Sequence, residues 1–185
     1  MTMLLLASTA QAQGITEAEA LQRKDQANMD NAEAFMAVDE ATQAYQFALS
    51  LKAATTEQYN AGPDGLGGNW GINDVFILNW MTTGNASLDK VSQPVDYFQQ
   101  LHDPTLDPPP ALPRWPIGKV PRSDIQLMSA ELNWNAEDWT QCAFDAQASS
   151  SSSNAAVNIA NVIKSWSDAA AADYFEAAIL MQFGQ

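Results

Sequence analysis

Between Ala34 and Leu51 apolar side chains return every three or four residues, and that spacing commits the segment to a helix packed along one side. Phe35, Val38, Tyr45, Ala48 and Leu49 fall on one stripe. Ala41 and Ala44 widen it, while Asp39, Glu40 and Gln43 point away. Alanine on such a face lets a second helix come close. Helix is expected over residues 16–58, in two segments with a break or bend near Asp30-Asn31. Thr16 and Glu19 have the spacing of a capping box, which fixes where the first helix starts.

Most of the chain beyond Leu51 also reads as helix. Residues 60–72 are the first exception: five glycines and a proline make a loop. The loop lacks the Lys-Ser/Thr ending of a phosphate-binding loop and the alternating carboxylates of a calcium loop. Asp64 and Asp74 are the residues there that could share a cation, but the glycines are read as letting backbone pass close to Trp70. Asn73 caps a helix over residues 74–81 that is apolar nearly all round, is expected to be central, and should stop at Gly84-Asn85. Its β-branched content leaves a buried strand open as an alternative. Ser92 and Pro94 open a helix to Leu101.

Residues 103–122 hold seven of the nine prolines and must be extended, much of it polyproline II. Ser123 then opens a helix whose apolar set is Ile125, Leu127, Met128 and Leu132. Asn133-Trp134-Asn135 interrupts it, and a helical piece covers residues 136–148. Five serines, Ser149 to Ser153, read as a loop or cap region. Further helices are expected over residues 154–165 and from Ser167, the last carrying Tyr174, Phe175, Ala178, Ile179 and Met181. No internal repeat emerges. The expected fold is mainly α: an irregular domain of six to eight helices over residues 14–185, divided by a proline-rich strap at 103–122.

Charge narrows the possible partners. Against 22 acidic residues stand 8 basic ones, a net charge of −14. Nucleic acid is met by clustered Lys and Arg, so this balance argues against it, and it disfavours adsorption to anionic lipid. It permits steering towards a basic partner. No run approaches the 18 apolar residues of a membrane span. At the start, Leu4 to Ala7 is apolar and Ala10-Gln11-Ala12 suits signal peptidase, although no Lys or Arg precedes them. Residues 1–13 are either a signal-like segment or an uncleaved apolar arm; export to the periplasm or cell surface is the expectation taken.

Reactive residue types are scarce. His102 is the single histidine and sits at an expected helix end, where imidazole complements the helix dipole. Cys142 is the single cysteine, read as an inert buried thiol. Zinc, copper and haem sites draw on His and Cys clusters that the chain lacks, and neither CxxCH nor GxGxxG occurs. No catalytic, cofactor or metal residue is therefore assigned. Glu131, Glu137 and Asp138 flank Trp134 and Trp139, which leaves a small glycan-acting hydrolase as one alternative. The strap is what folding alone explains least. Arg114 and Trp115 are residue types that dominate interface hot spots, and with Pro109, Pro110, Pro113 and Pro116 they are the candidate partner interface. Tyr174, Phe175 and Phe183 offer a second contact.

With its alanine-rich start, Gln22 to Met29 and Ala34 to Leu49, the chain resembles the smallest subunit of membrane-bound quinohaemoprotein alcohol dehydrogenase of acetic acid bacteria. The resemblance covers residues 16–52 and carries no functional residue over. It implies a periplasmic, cofactor-free accessory subunit held at the inner membrane through its partners. Those would be a dehydrogenase subunit with pyrroloquinoline quinone and haem c, and a cytochrome c subunit. A structural protein of a virion or surface assembly is the other alternative, which the apolar start would suit.

Overall fold

The computed structural model describes residues 14–65, 70–102 and 121–183, with the backbone alone for 92–102 and 121. The fold is mainly α, as expected, but it is built from fewer and longer pieces. Helix α1 runs Glu17–Ala61, α2 Asp74–His102, α3 Pro121–Asn135 and α4 Trp139–Phe183, with a 3-10 turn at Gly71–Asn73 before α2. No strand occurs among the described residues. At 1.5 Å per residue the two 45-residue helices α1 and α4 are each about 68 Å long.

α1 and α4 lie side by side and parallel. Ala20 shares a core cluster with Cys142, Ala34 with Ala156 and Ala48 with Ala170, a constant separation of 122 residues. The connection back is made by α2 and α3, both antiparallel to α4. Gly84 and Asn85 of α2 meet Tyr174, and Val91 meets the cluster around Ala160. Further along, Ser123 of α3 meets Ser149 and Ser153, and Ser129 meets Asp145. Thus α4 is the central helix, with α1 along one side and α2 and α3 in sequence along the other.

A seven-residue repeat sets this geometry. On α1, Ala20, Ala27, Ala34, Ala41, Ala48 and Thr55 are buried at intervals of seven. On α4, buried positions alternate steps of four and three from Cys142 through Ala146, Ser149, Ser153, Ala156, Ala160, Ile163, Ser167, Ala170, Tyr174 and Ala177 to Met181. α2 repeats the pattern with Ile77, Met81, Gly84, Leu88 and Val91. A repeat of 3.5 residues keeps one seam facing its neighbour along the whole length of a helix pair. The seam is alanine and serine rather than leucine, so each level buries little area and the helices gain stability through length and closeness.

Several expected breaks are absent, each for a visible reason. Asp30 and Asn31 do not interrupt α1. Their side chains turn toward the bundle, where Asn31 donates to Ser123 Oγ (3.0 Å) and Asp124 Oδ1 (2.9 Å), and Asp30 accepts from Ser150 Oγ. The five serines lie inside α4, not in a loop. Ser149 and Ser153 are fully buried and bond Ser123 Oγ at 2.8 and 2.5 Å, and Ser149 Oγ also donates to the Ser123 carbonyl (2.9 Å). These groups form one polar layer shared by α1, α3 and α4. Satisfied polar layers of this kind fix helix register. α2 does not stop at Gly84. A Cβ there would lie 3.0–3.2 Å from the Tyr174 ring, so glycine makes room for the tyrosine within a continuous helix.

Other expectations stand. Thr16 caps α1: its hydroxyl accepts from the Glu19 amide (3.3 Å), and Glu19 Oε2 accepts from the Thr16 amide (2.9 Å). Those bonds from Thr16 hold the Glu19 carboxyl below its usual value. Asn135 closes α3, where an interruption was expected. In the loop after α1, Gly62, Gly65 and Gly71 have φ of 76°, 74° and 63°, a region that disfavours side chains. A Cβ at Gly65 or Gly71 would meet nothing outside its own chain neighbours, so the positive φ of the turn is what calls for glycine there. Trp70 is buried and donates from Nε1 to the Tyr59 carbonyl (3.1 Å).

Among the described residues, Ser167 Oγ is the buried side-chain oxygen with no hydrogen bond. It sits on α4 within the seam. An unmatched buried hydroxyl costs more than an alanine methyl of similar size. Ser167→Ala is expected to stabilise the chain by about 1–2 kcal/mol. Urea unfolding should show a raised midpoint with unchanged slope; an unchanged or lowered midpoint would show that the hydroxyl is satisfied.

Candidate functional site

Large apolar side chains are placed in the reverse of the usual order. Phenylalanine is among the residue types most often buried. Here all six phenylalanines whose side chains are described, Phe35, Phe47, Phe76, Phe144, Phe175 and Phe183, are 48–75 % exposed. Met29 and Met36 on α1, Ile72 in the 3-10 turn and Val75 at the start of α2 are also exposed. The seven-residue repeat is the cause. It assigns the seam to small residues, and phenylalanines at other positions of the same helices point outward. The stripe expected on α1 is accordingly split: Val38 and Ala48 are buried, Tyr45 partly so, while Phe35 and Leu49 face solvent.

α3 shows the inversion most clearly. Its inner face presents Ser123, Leu127, Ala130 and Trp134 to α1 and α4, while Ile125, Met128 and Leu132 on its outer face are 67–69 % exposed. Of the four apolar residues expected to anchor this helix, Leu127 alone packs against the core. Three outward positions at i, i+3 and i+7 form a continuous stripe.

At the end of the bundle where α3 turns into α4, Trp134 and Trp139 pack with ring centroids 4.9 Å apart and planes tilted by 56°. Lys24 of α1 lies with its ammonium 5.0 Å from the Trp134 centroid and 2.5 Å from Glu131 Oε2. Asp138 accepts from the Gln141 amide (3.0 Å) and so caps α4. Glu137 sits in the intervening turn with φ 58°. The three acids considered for glycan chemistry each have a local role, Glu131 as an ion-pair partner, Asp138 as a cap and Glu137 as a turn residue. Beneath them Cys142 is fully buried, and burial pushes its thiol pKa up, as an inert thiol requires. At the opposite end Asp74 accepts from Tyr59 OH (2.9 Å). Among the described residues no three His, Cys, Asp or Glu side chains come together as a metal set.

Of the residues proposed for a second contact, Phe175 and Phe183 are exposed, whereas Tyr174 is fully buried and belongs to the core. Arg114, Trp115, Pro109, Pro110, Pro113 and Pro116 lie outside the described residues, as does the apolar segment at 1–13. His102 is the last described residue of α2, and whether the helix ends there lies outside the described residues. No helix among the described residues is long and apolar enough to cross a membrane. Comparison with family models, curated proteins and solved structures found no match to the chain.

The surface residues that sequence periodicity missed are those assigned to an interior: Phe35, Leu49, Ile125, Met128 and Leu132. One signal was available. Alanine recurs at 20, 27, 34, 41 and 48. A seam read from that repeat leaves the larger apolar residues for the outside.

Proposed function

We propose that this chain is a non-catalytic accessory subunit, a helical rod that docks against larger protein subunits through exposed aromatic and aliphatic side chains. The observation that carries this reading is the exposure of all six phenylalanines whose side chains are described, around a core rich in alanine and serine. Interfaces between stable subunits are rich in Phe and Met, and surface of this kind otherwise promotes aggregation. The acidic balance keeps such a rod soluble until it meets its partners.

In its specific form, the partners are the quinone-bearing and cytochrome c subunits of an exported alcohol dehydrogenase in the periplasm. That form rests on the resemblance over residues 16–52, and it places pyrroloquinoline quinone and haem c in the partners.

The test is to express the tagged chain with those two subunits and isolate it under native conditions. Co-elution with haem absorbance is expected, together with faster loss of dehydrogenase activity on heating when the chain is omitted. A chain carrying Phe35→Ser and Phe47→Ser should keep its helical spectrum and retain less of the partner. Elution of the chain alone, with dehydrogenase of equal stability in its absence, removes the specific reading. A monodisperse monomer that stays soluble and binds no protein removes the general one.

A further inference from the structure

We infer that the turn between α3 and α4 is a hinge: α3 swings away, joins α4 in one helix over residues 121–183, and packs on a second copy of this chain. Such an exchange is independent of the docking to larger subunits.

The turn, Ala136-Glu137-Asp138, holds no glycine or proline. The Glu137 amide donates to the Trp134 carbonyl (3.0 Å) and the Asp138 amide to the Asn133 carbonyl (3.0 Å), the two bonds of a Schellman stop. Such a stop needs one left-handed residue, usually glycine. Here that residue is Glu137, with φ 58°, where a side chain is strained. Alanine and glutamate are good helix formers. Straightening the turn therefore relieves a strained residue and continues the helix. Short hinges under strain favour exchange of an element between copies.

Register shows what the straightened helix would use. Traced backwards, the seam of α4 passes Ser153, Ser149, Ala146 and Cys142 in steps of four and three. Carried through a straight turn, the same steps fall on Trp139, Asn135, Leu132, Met128 and Ile125. The last three are the exposed stripe of α3. In the closed chain they lie outside; in the continuous helix they prolong the seam. Much of the inner face of α3 tolerates water in return. Gln126, Ser129 and Asn133 reach α4 through hydrogen bonds to Ser152 and Asp145, which water can replace.

The surface that α3 leaves is the complement. Cys142, Ala143 and Ala146, with Ala20 and Ala27 of α1, lose the cover of Leu127 and Ala130. Two continuous helices that run antiparallel, centred on the turn, bring Leu132, Met128 and Ile125 of each copy opposite Cys142, Ala146 and Ser149 of the other. Each copy then covers what the departing α3 of the other exposes, as a two-fold exchange requires.

The full chain is held at about 0.5 mM and about 0.3 M salt, which screens the net charge of −14 on each copy, a few degrees below its Tm, and is then cooled. Size exclusion with light scattering is expected to resolve a dimer. Small-angle scattering should give it a length of about 140 Å, twice that of α4, against about 70 Å for the monomer. Glu137→Gly, which favours the turn in both copies, should weaken the dimer about a hundredfold or more. Asp138→Ala removes the cap of α4 and admits a better helix former, so it should strengthen the dimer about tenfold or more. Ile125→Ser/Met128→Ser/Leu132→Ser should abolish the dimer and leave the monomer's Tm within a few degrees. Absence of a dimer overturns the proposal, as does a triple variant that dimerises like the parent. A dimer about as long as the monomer and indifferent to Glu137→Gly also overturns it, because the stripes would then pair with the hinge closed. A larger fall in the triple variant's Tm would mean that the chain's own residues cover the stripe, and overturns it too.

Discussion

Truncating Tyr174 to alanine is expected to destabilise the chain by about 3–5 kcal/mol, a large part of the 5–15 kcal/mol typical of a domain. Among the described residues Tyr174 is the largest fully buried side chain, and three helices converge on it. Its ring lies against Gly84 of α2, its hydroxyl donates to Asn85 Oδ1 (2.8 Å), and its carbonyl accepts from Thr55 Oγ1 of α1 (3.3 Å). The flanking seam residues on α4, Ala170 and Ala177, are too small to fill the vacated volume, and how far Met81, Leu88 and Met181 of the same cluster move into it sets the cost within that range. Equilibrium urea unfolding measures the loss. Tyr174→Phe, which removes only the bond to Asn85, should cost about 1 kcal/mol. Burial pushes the Tyr174 phenol up to about 12, with Asp89 and Asp173 adding to the shift, against 10.0 for a free tyrosine. Folding therefore favours the protonated phenol. This contribution is fully present below pH 10 and is lost as the pH rises from 10 to 12, by on the order of 2 kcal/mol. The Phe variant should lack that share of alkaline destabilisation. If both variants unfold where the parent does, Tyr174 is not the junction of the three helices.

What the sequence made legible was whatever depends on neighbours along the chain. The capping box at Thr16 and Glu19, the glycine turn after α1 and the stop at Asn135 are local devices, and all three lie where their residue types indicate. What misled were residues whose local preference was overridden from across the bundle. Serines favour caps and loops because their hydroxyls compete with backbone bonding. Ser149 and Ser153 instead find Ser123 on α3, and the run continues as helix. Gly84 reads as a terminator until Tyr174, 90 positions later, occupies the space that a side chain would need. The surface was misread for a related reason. Ranking positions by hydrophobicity sends Phe35 and Ile125 inward, whereas a seam set by closeness sends alanine inward and leaves the bulky residues out.

Ala41→Leu is the substitution that separates those two accounts. If hydrophobicity decides the interior, adding three heavy atoms to a buried alanine adds apolar area and should stabilise. If closeness decides, the same atoms push α1 away from α4. Ala41 is fully buried, in one cluster with Val38, Ala156, Ala160 and Ile163. It is the fourth of six small residues in the seam of α1, so a displacement there is passed along a helix about 68 Å long rather than absorbed in a loop. A loss of about 2–3 kcal/mol is expected, at the upper end for overpacking, because neither helix can yield locally. Ala32→Leu is the control. Ala32 is exposed on the same helix, and leucine is nearly as good a helix former, so the change should stay within about 0.5 kcal/mol. Thermal and urea unfolding of the pair, compared with the parent, give the answer. A stabilised Ala41→Leu would mean that α1 and α4 stand far enough apart to admit leucine. The outward phenylalanines would then need a cause other than the width of the seam.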